Sequence, residues 1–227
     1  MRRTWIAAFA VLLCASTAFA QEEEESTPLS AAPVEAQKKA PYNEVEHGFF
    51  VGAFTGIALA IKPGGSTYNR STGTFGSAGF AMGQSGGIEL GIEPTPFFSI
   101  GVLAMGSAAN TPSTFVGSCD PTAANTSCPH GNYTALTLGA DARLNLSLGA
   151  DVNGIRRAYF FVRAGAGYSI LAPKGLLQNE LLVFGGPGFE YFTHLRHFSV
   201  GIEADASYGL TNKGFGIALQ PLVRYTF

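Results

Sequence analysis

The sequence predicts an all-β protein: an eight-stranded antiparallel up-and-down barrel that crosses a membrane. Three observations carry this. From Gly48 onward apolar and polar residues alternate with a period of two, which places one kind of side chain on each face of a strand. Aromatic residues on the apolar face gather toward strand ends, as two bilayer interfaces would select. The connections alternate between short and long, which matches turns on one side of a membrane and loops on the other.

The chain has 227 residues, 46% of them hydrophobic and only 13% charged, with 29 glycines and 18 phenylalanines. A net charge of -2 argues against nucleic-acid binding, which needs a basic face to neutralise phosphates. Three cysteines are too few for a disulfide-framed miniprotein or a multi-cysteine zinc module. Nothing in the sequence calls for a cofactor, and no segment after the amino-terminal leader is long and apolar enough for a membrane helix.

Residues 1–20 read as a secretory signal peptide. Arg2 and Arg3 precede an apolar run from Trp5 to Leu13, and Ala18-Phe19-Ala20 forms an A-x-A cleavage site before Gln21. The rival reading is a lipoprotein signal acylated at Cys14, but Leu13 stands where such a signal carries a small residue. Loss of Arg2 and Arg3 leaves 12 basic against 16 acidic residues. Residues 21–46 contain Glu22 to Glu25, three prolines and almost nothing bulky. Such a segment cannot bury enough surface to offset its ordering entropy, so it is expected to be a disordered arm and a solvated spacer. Residues 47–227 then form the barrel.

Tyr133 to Leu148 is the clearest strand. Its even positions run Thr134, Leu136, Leu138, Ala140, Ala142, Leu144, Leu146, Leu148, and its odd positions include Thr137, Asp141, Arg143 and Asn145. The same alternation runs from Phe80 to Glu93, Phe160 to Ile170, Phe198 to Tyr208 and Phe215 to Phe227, with looser versions at 48–61, 97–106 and 181–193. Phe98, Phe160, Tyr191, Phe198, Tyr225 and Phe227 mark one aromatic girdle; Phe80, Tyr168, Tyr208 and Phe215 mark the other. Pro94-Thr95-Pro96 and His194 to His197 are expected as short turns, and 62–77 and 107–131 as long loops on the opposite side.

With the polar faces inward, Glu89, Asp141, Arg143, Arg163, Glu190, Glu203, Asp205 and Arg224 fall in one layer nearer the short turns. Five carboxylates then face three guanidiniums, and charges in so narrow an interior are expected to interlock as pairs. The acidic surplus calls for water, a counter-cation or a retained proton. The half nearer the long loops, lined by Gly, Ser and Ala, is expected to hold a shallow pocket.

Gly48-x-x-x-Gly52-x-x-x-Gly56 mimics a helix-packing motif, but the apolar run stops at Ile61 and is too short to span as a helix. In a strand these glycines share a face with Phe50 and Phe54 and are expected to make room for the rings. His194 and His197 sit in a turn without a third ligand, so no metal site is expected. Cys119 and Cys128 share the longest loop and are expected to form a disulfide in an oxidising compartment.

From about Gly48 to the end, roughly four-fifths of the chain, the sequence resembles the small eight-stranded outer-membrane barrels of the outer-membrane protein A transmembrane-domain type. The most specific feature is the carboxyl end, Val223-Arg224-Tyr225-Thr226-Phe227, which resembles the signal read by the outer-membrane assembly machinery, with Tyr225 and Phe227 as its apolar marks. The peptidoglycan-binding domain of the namesake is absent from the sequence. The acidic arm, His47-Gly48-Phe49-Phe50-Val51-Gly52 and Gly185-Gly186-Pro187-Gly188-Phe189-Glu190-Tyr191-Phe192 are similar to a myxobacterial gliding-motility outer-membrane barrel. The resemblance implies a bacterial outer-membrane location with the amino-terminal arm in the periplasm. It also implies contacts with outer-membrane lipid and lipopolysaccharide, and envelope protein partners reached through the outer loops or the arm. It implies a non-enzymatic role in structure, adhesion or assembly. Two alternatives stay open: a small-solute or ion channel, and a lipid-modifying barrel enzyme, for which His130 with Ser127 and Asp120 is the one constellation in an outer loop.

Overall fold

In the computed structural model, eight strands close into a barrel. The structure describes residues 47–227 apart from 125, 153 and 196; the expected signal peptide (1–20) and arm (21–46) lie outside the described residues. The elements are β1 (Phe49–Lys62), β2 (Ser66–Asn69), β3 (Thr74–Ser77), β4 (Ala81–Thr95), β5 (Phe98–Asn110), β6 (Phe115–Gly117), β7 (Tyr133–Ser147), β8 (Ala158–Ala172), β9 (Glu180–Phe192), β10 (Phe198–Gly209) and β11 (Phe215–Thr226). The barrel order is β1-β11-β10-β9-β8-β7-β5-β4, every neighbour antiparallel, with β1 hydrogen-bonded to both β11 and β4. Closure leaves no sheet edge with unpaired backbone groups.

The alternation read from the sequence sets the faces. On β7, Leu144 and Leu146 are 60% and 61% exposed, while Arg143 just before them and Asn145 between them are buried. Both aromatic groups project outward: Phe198 pairs with Tyr225, and at the far end Tyr208 pairs with Phe215. Phe80 projects outward from just before β4 rather than from within it. The barrel is therefore inverted relative to a water-soluble one, with aliphatic side chains outside and ionised groups inside.

Two boundaries differ from expectation. Pro94 and Thr95 belong to β4, because the ladder carries through a register shift to pair Thr95 with Phe98, leaving a tighter turn. The 148–157 connection is also longer than the other turns on that side and is fastened by an Arg157–Asp151 ion pair at 3.0 Å.

The long loops are not irregular. Short segments of 62–77 and 107–131 form a second sheet, β3-β2-β6, outside the barrel ladder. β6 buries Phe115 against Leu171, Leu176 and Leu177, and Ser118 N–H donates to Leu176 O at 3.0 Å. Three connections are thus drawn together as an apolar cap at the loop end of the barrel.

Candidate functional site

The eight charged residues expected in the lumen meet there, all on the half of the barrel nearer His47 and Phe227. Arg143, on β7, reaches Glu190 at 3.1 Å and Glu89 at 3.5 Å. Arg163, on β8, lies 2.6 Å from Glu203 and 3.7 Å from both Glu89 and Asp141, and it pairs with Asp205. Arg224, on β11, reaches Glu190 at 3.3 Å. Ser199 donates to the other Glu190 oxygen. Residues from six strands are tied together this way, and removing any one ion would leave its partners charged in a space water scarcely enters.

Two members escaped the sequence reading. Glu93 forms an ion pair with Arg224 at 2.9 Å, and His47 Nδ1 stands 3.0 Å from the other Glu93 oxygen at the barrel's edge. Glu93 lies on the same polar face as Glu89, four residues along β4, so its alternation was the available signal. Its participation depended on β4 running past Pro94. The layer therefore holds six carboxylates (Glu89, Glu93, Asp141, Glu190, Glu203 and Asp205) around three guanidiniums.

Aromatic rings floor and separate the ions. Arg224 lies 3.5 Å from the centre of the Phe50 ring and Arg143 4.1 Å from that of Phe161. Arg163 sits between Phe54 and Phe184, 5.6 Å from each. Each of these four rings lies over a glycine directly opposite on the neighbouring strand: Phe50 over Gly91, Phe54 over Gly87, Phe161 over Gly188, and Phe184 over Gly165. A Cβ at Gly188 would stand 2.6 Å from Phe161 Cε2. The glycines let each ring lie flat on the barrel wall, where its face is available to a cation.

This corrects the expected role of the β1 glycines. Gly52 and Gly56 do not make room for Phe50 and Phe54; β4 does. Gly52 faces Glu89 and Arg224 on its two neighbours, and a Cβ at Gly56 would fall 2.8 Å from Gln220 Cα. Bare backbone there lets Gln220 Nε2 reach across β1 to Ser85 Oγ at 2.7 Å.

Toward the loop end lies a cavity of about 140 Å³ lined by Ser, Thr, Ala and Leu side chains together with Asp205, Glu180 and Gln220, and roofed in part by Tyr133, Leu171 and Leu177. Outside it, Cys119 and Cys128 are disulfide-bonded, with Cα atoms 5.7 Å apart. In the same loop Asp120 spends one oxygen on Thr122, accepting from its N–H at 2.8 Å and its hydroxyl at 2.6 Å. Those bonds hold the Asp120 carboxyl below its ordinary pKa of 3.8. The Asp120 carboxylate is thereby a turn cap, while Ser127 and His130 are exposed. His197 Nδ1 lies 2.9 Å from Thr226 O, and its ring stacks on Tyr225. At the carboxyl end Tyr225 and Phe227 make an edge-to-face pair, and Phe227 also meets Phe49.

The barrel is similar to that of Neisserial surface protein A. The match covers 79% of this chain and 97% of that one, at 14% sequence identity and a TM-score of 0.51. It shows a shared eight-stranded barrel fold. Weaker likenesses are to the outer-membrane protein OprG from Pseudomonas aeruginosa (10% identity, 79% and 93% coverage, TM-score 0.39) and the attachment invasion locus protein Ail of Yersinia pestis (13%, 80% and 100%, 0.35). No protein-family model and no curated protein sequence matches the chain.

Proposed function

We propose that the chain is a non-enzymatic bacterial outer-membrane protein. Its barrel is a closed scaffold, and its loop end is the working surface, a structural or adhesive component of an envelope assembly. One observation carries this reading: aliphatic and aromatic side chains cover the outside of a barrel whose inside is blocked by an interlocked layer of Arg, carboxylate and Phe. Leu, Ile and Phe on the outer face suit acyl chains of outer-membrane lipid, with the two aromatic girdles at the interfaces. The end carrying His47 and Phe227 then faces the periplasm, the compartment also proposed for residues 21–46, and the capped end meets lipopolysaccharide and the exterior. Tyr225 and Phe227 serve as the mark read by the outer-membrane assembly machinery. Envelope proteins are engaged through the disulfide-restrained loop and the β2–β3–β6 cap, because loops held on a rigid scaffold are where recognition concentrates.

A conducting role is disfavoured by Arg143, Arg163 and Arg224, whose side chains are at most 3% exposed. A lipid-modifying role is disfavoured because Asp120 is engaged by Thr122 rather than by a histidine. The stretches similar to a gliding-motility barrel serve the interior: Phe50 lies under Arg224, Gly188 under Phe161, and Glu190 joins two arginines. They lend no separate support to a motility process.

The test is made on the full chain folded in detergent. Unboiled and boiled samples should migrate differently on a gel, and planar bilayers containing the folded protein should stay silent. Identical mobility would remove the barrel reading; steady conductance would replace the closed scaffold with a channel.

A further inference from the structure

The cavity above the charged layer has a built floor. Asp205, 8% exposed, and Gln220, 1% exposed, both line it, and each carries an oxygen without a hydrogen-bond partner, Oδ1 of Asp205 and Oε1 of Gln220. Their remaining polar atoms are fixed: the other Asp205 oxygen pairs with Arg163, and the Gln220 amide donates to Ser85 at 2.7 Å. Both side chains are thus held with an acceptor left over, whereas buried polar groups in proteins ordinarily find partners. A second carboxylate lining the cavity, Glu180, accepts from Asn212 N–H at 2.9 Å, while Glu203 stands beside Asp205 in the layer beneath, against Arg163 at 2.6 Å. The layer beneath carries six carboxylates against three guanidiniums. The walls are mostly carbon, Ala58, Met105, Ala135 and Leu182 among them, interrupted by the hydroxyls of Thr137, Ser169 and Ser207 and by the buried Glu180. Lys62 is the one basic residue among the described residues lining the cavity, and it sits at the exposed rim.

We propose that this cavity binds a small aliphatic ammonium ion, its N–H groups donating to Asp205 Oδ1 and Gln220 Oε1 and its alkyl body lying along the apolar wall. Two acceptor oxygens without partners and more carboxylates than guanidiniums select a cation that donates hydrogen bonds. The walls select against a bare divalent cation, which wants about six to eight oxygen ligands. An apolar cavity of about 150 Å³ accepts a benzene-sized guest, so the volume here suits about four to six heavy atoms.

The test uses the full chain folded in a neutral detergent, on protein whose gel mobility changes on boiling, with n-butylammonium as probe and n-butanol as its uncharged counterpart. Calorimetry or ligand-observed NMR should report saturable uptake of the amine, with butanol at least about tenfold weaker. Asp205→Asn should weaken the amine by a similar factor. Because Asp205 also partners Arg163, a second variant, Ala58→Leu, fills the cavity from a wall away from the charges, and it should abolish uptake while leaving the mobility shift intact. Absence of saturable uptake, equal affinity for amine and alcohol, or undiminished uptake by Ala58→Leu would each overturn the site. The first of these is the outcome expected if Glu203 and Asp205 instead satisfy each other by sharing a proton.

Discussion

The guanidinium of Arg224 lies over the ring of Phe50, 3.5 Å from its centre, across the seam where the last strand meets the first. Backbone hydrogen bonds alone would close β1 on β11. The stack adds side-chain adhesion at the one junction whose strands come from opposite ends of the chain, and Glu93 at 2.9 Å holds the cation in place. Closure entropy is largest for such a contact, so stabilising it bears on whether the barrel closes at all.

The seam should therefore be the weak point of the fold. Arg224→Ala strands Glu93 and Glu190 without one of their cations and should cost about 3–5 kcal/mol. Arg224→Lys keeps charge but loses the planar stack, and should cost about 1–2 kcal/mol. Urea titration of folded protein in detergent, followed by gel mobility, reads both. A midpoint in the alanine variant equal to that of wild type would show that the stack and pair contribute nothing.

The phenylalanine–glycine pairs should be coupled. Gly188→Ala places a methyl group against Phe161 and should destabilise by about 1–3 kcal/mol. Phe161→Leu removes the ring and exposes Arg143 to a weaker surface, with its own cost. Combined, the two should be milder than the sum of the singles by about 0.5–3 kcal/mol. A double-mutant cycle on the same unfolding assay measures this, and strict additivity would refute the packing account.

The disulfide should matter to the loop and not to the barrel. Cys119 and Cys128 lie outside every ladder of the closed sheet. Serine replacement of both should leave the barrel's unfolding midpoint unchanged while protease cuts the 118–131 loop faster. A shared loss of barrel stability would mean that the cap transmits load to the strands.

Asp120 offers a local pH readout. Its carboxyl titrates below the ordinary 3.8 because Thr122 donates two hydrogen bonds to it. A group whose folded pKa is depressed contributes order above its unfolded value and loses that contribution as pH falls through the folded one. The turn should thus hold at neutral pH and open only in strong acid. Carboxyl NMR titration should show Thr122→Ala moving the Asp120 midpoint upward; an unmoved midpoint would dismiss the turn cap.

Much of the interior is legible in the sequence. Asp141 and Arg143 sit at alternate positions between leucines, and that pattern alone assigns them to the face opposite the lipid-like one. Glu93 was less legible, since a proline follows it and a short Pro-Thr-Pro turn was the natural reading; only the register shift opposite β5 carries β4 to Thr95. β2, β3 and β6 were invisible because segments of three or four residues such as Ser66–Asn69 are too short for a period to show, and they become strands only by pairing with one another.

The sequence by itself determined which residues face outward and which inward, because side-chain alternation is a local property of extended backbone. It also pointed to eight of the nine charged residues in the layer that such segments enclose, Glu93 being the one it did not name. Which guanidinium meets which carboxylate, which glycine lies under which ring, and that a cavity with two unpartnered acceptors remains above them were decided only by the tertiary structure. Those relations depend on how far each strand is offset from its neighbour around the closed cylinder, and that offset is settled by all the strands together rather than by any one of them.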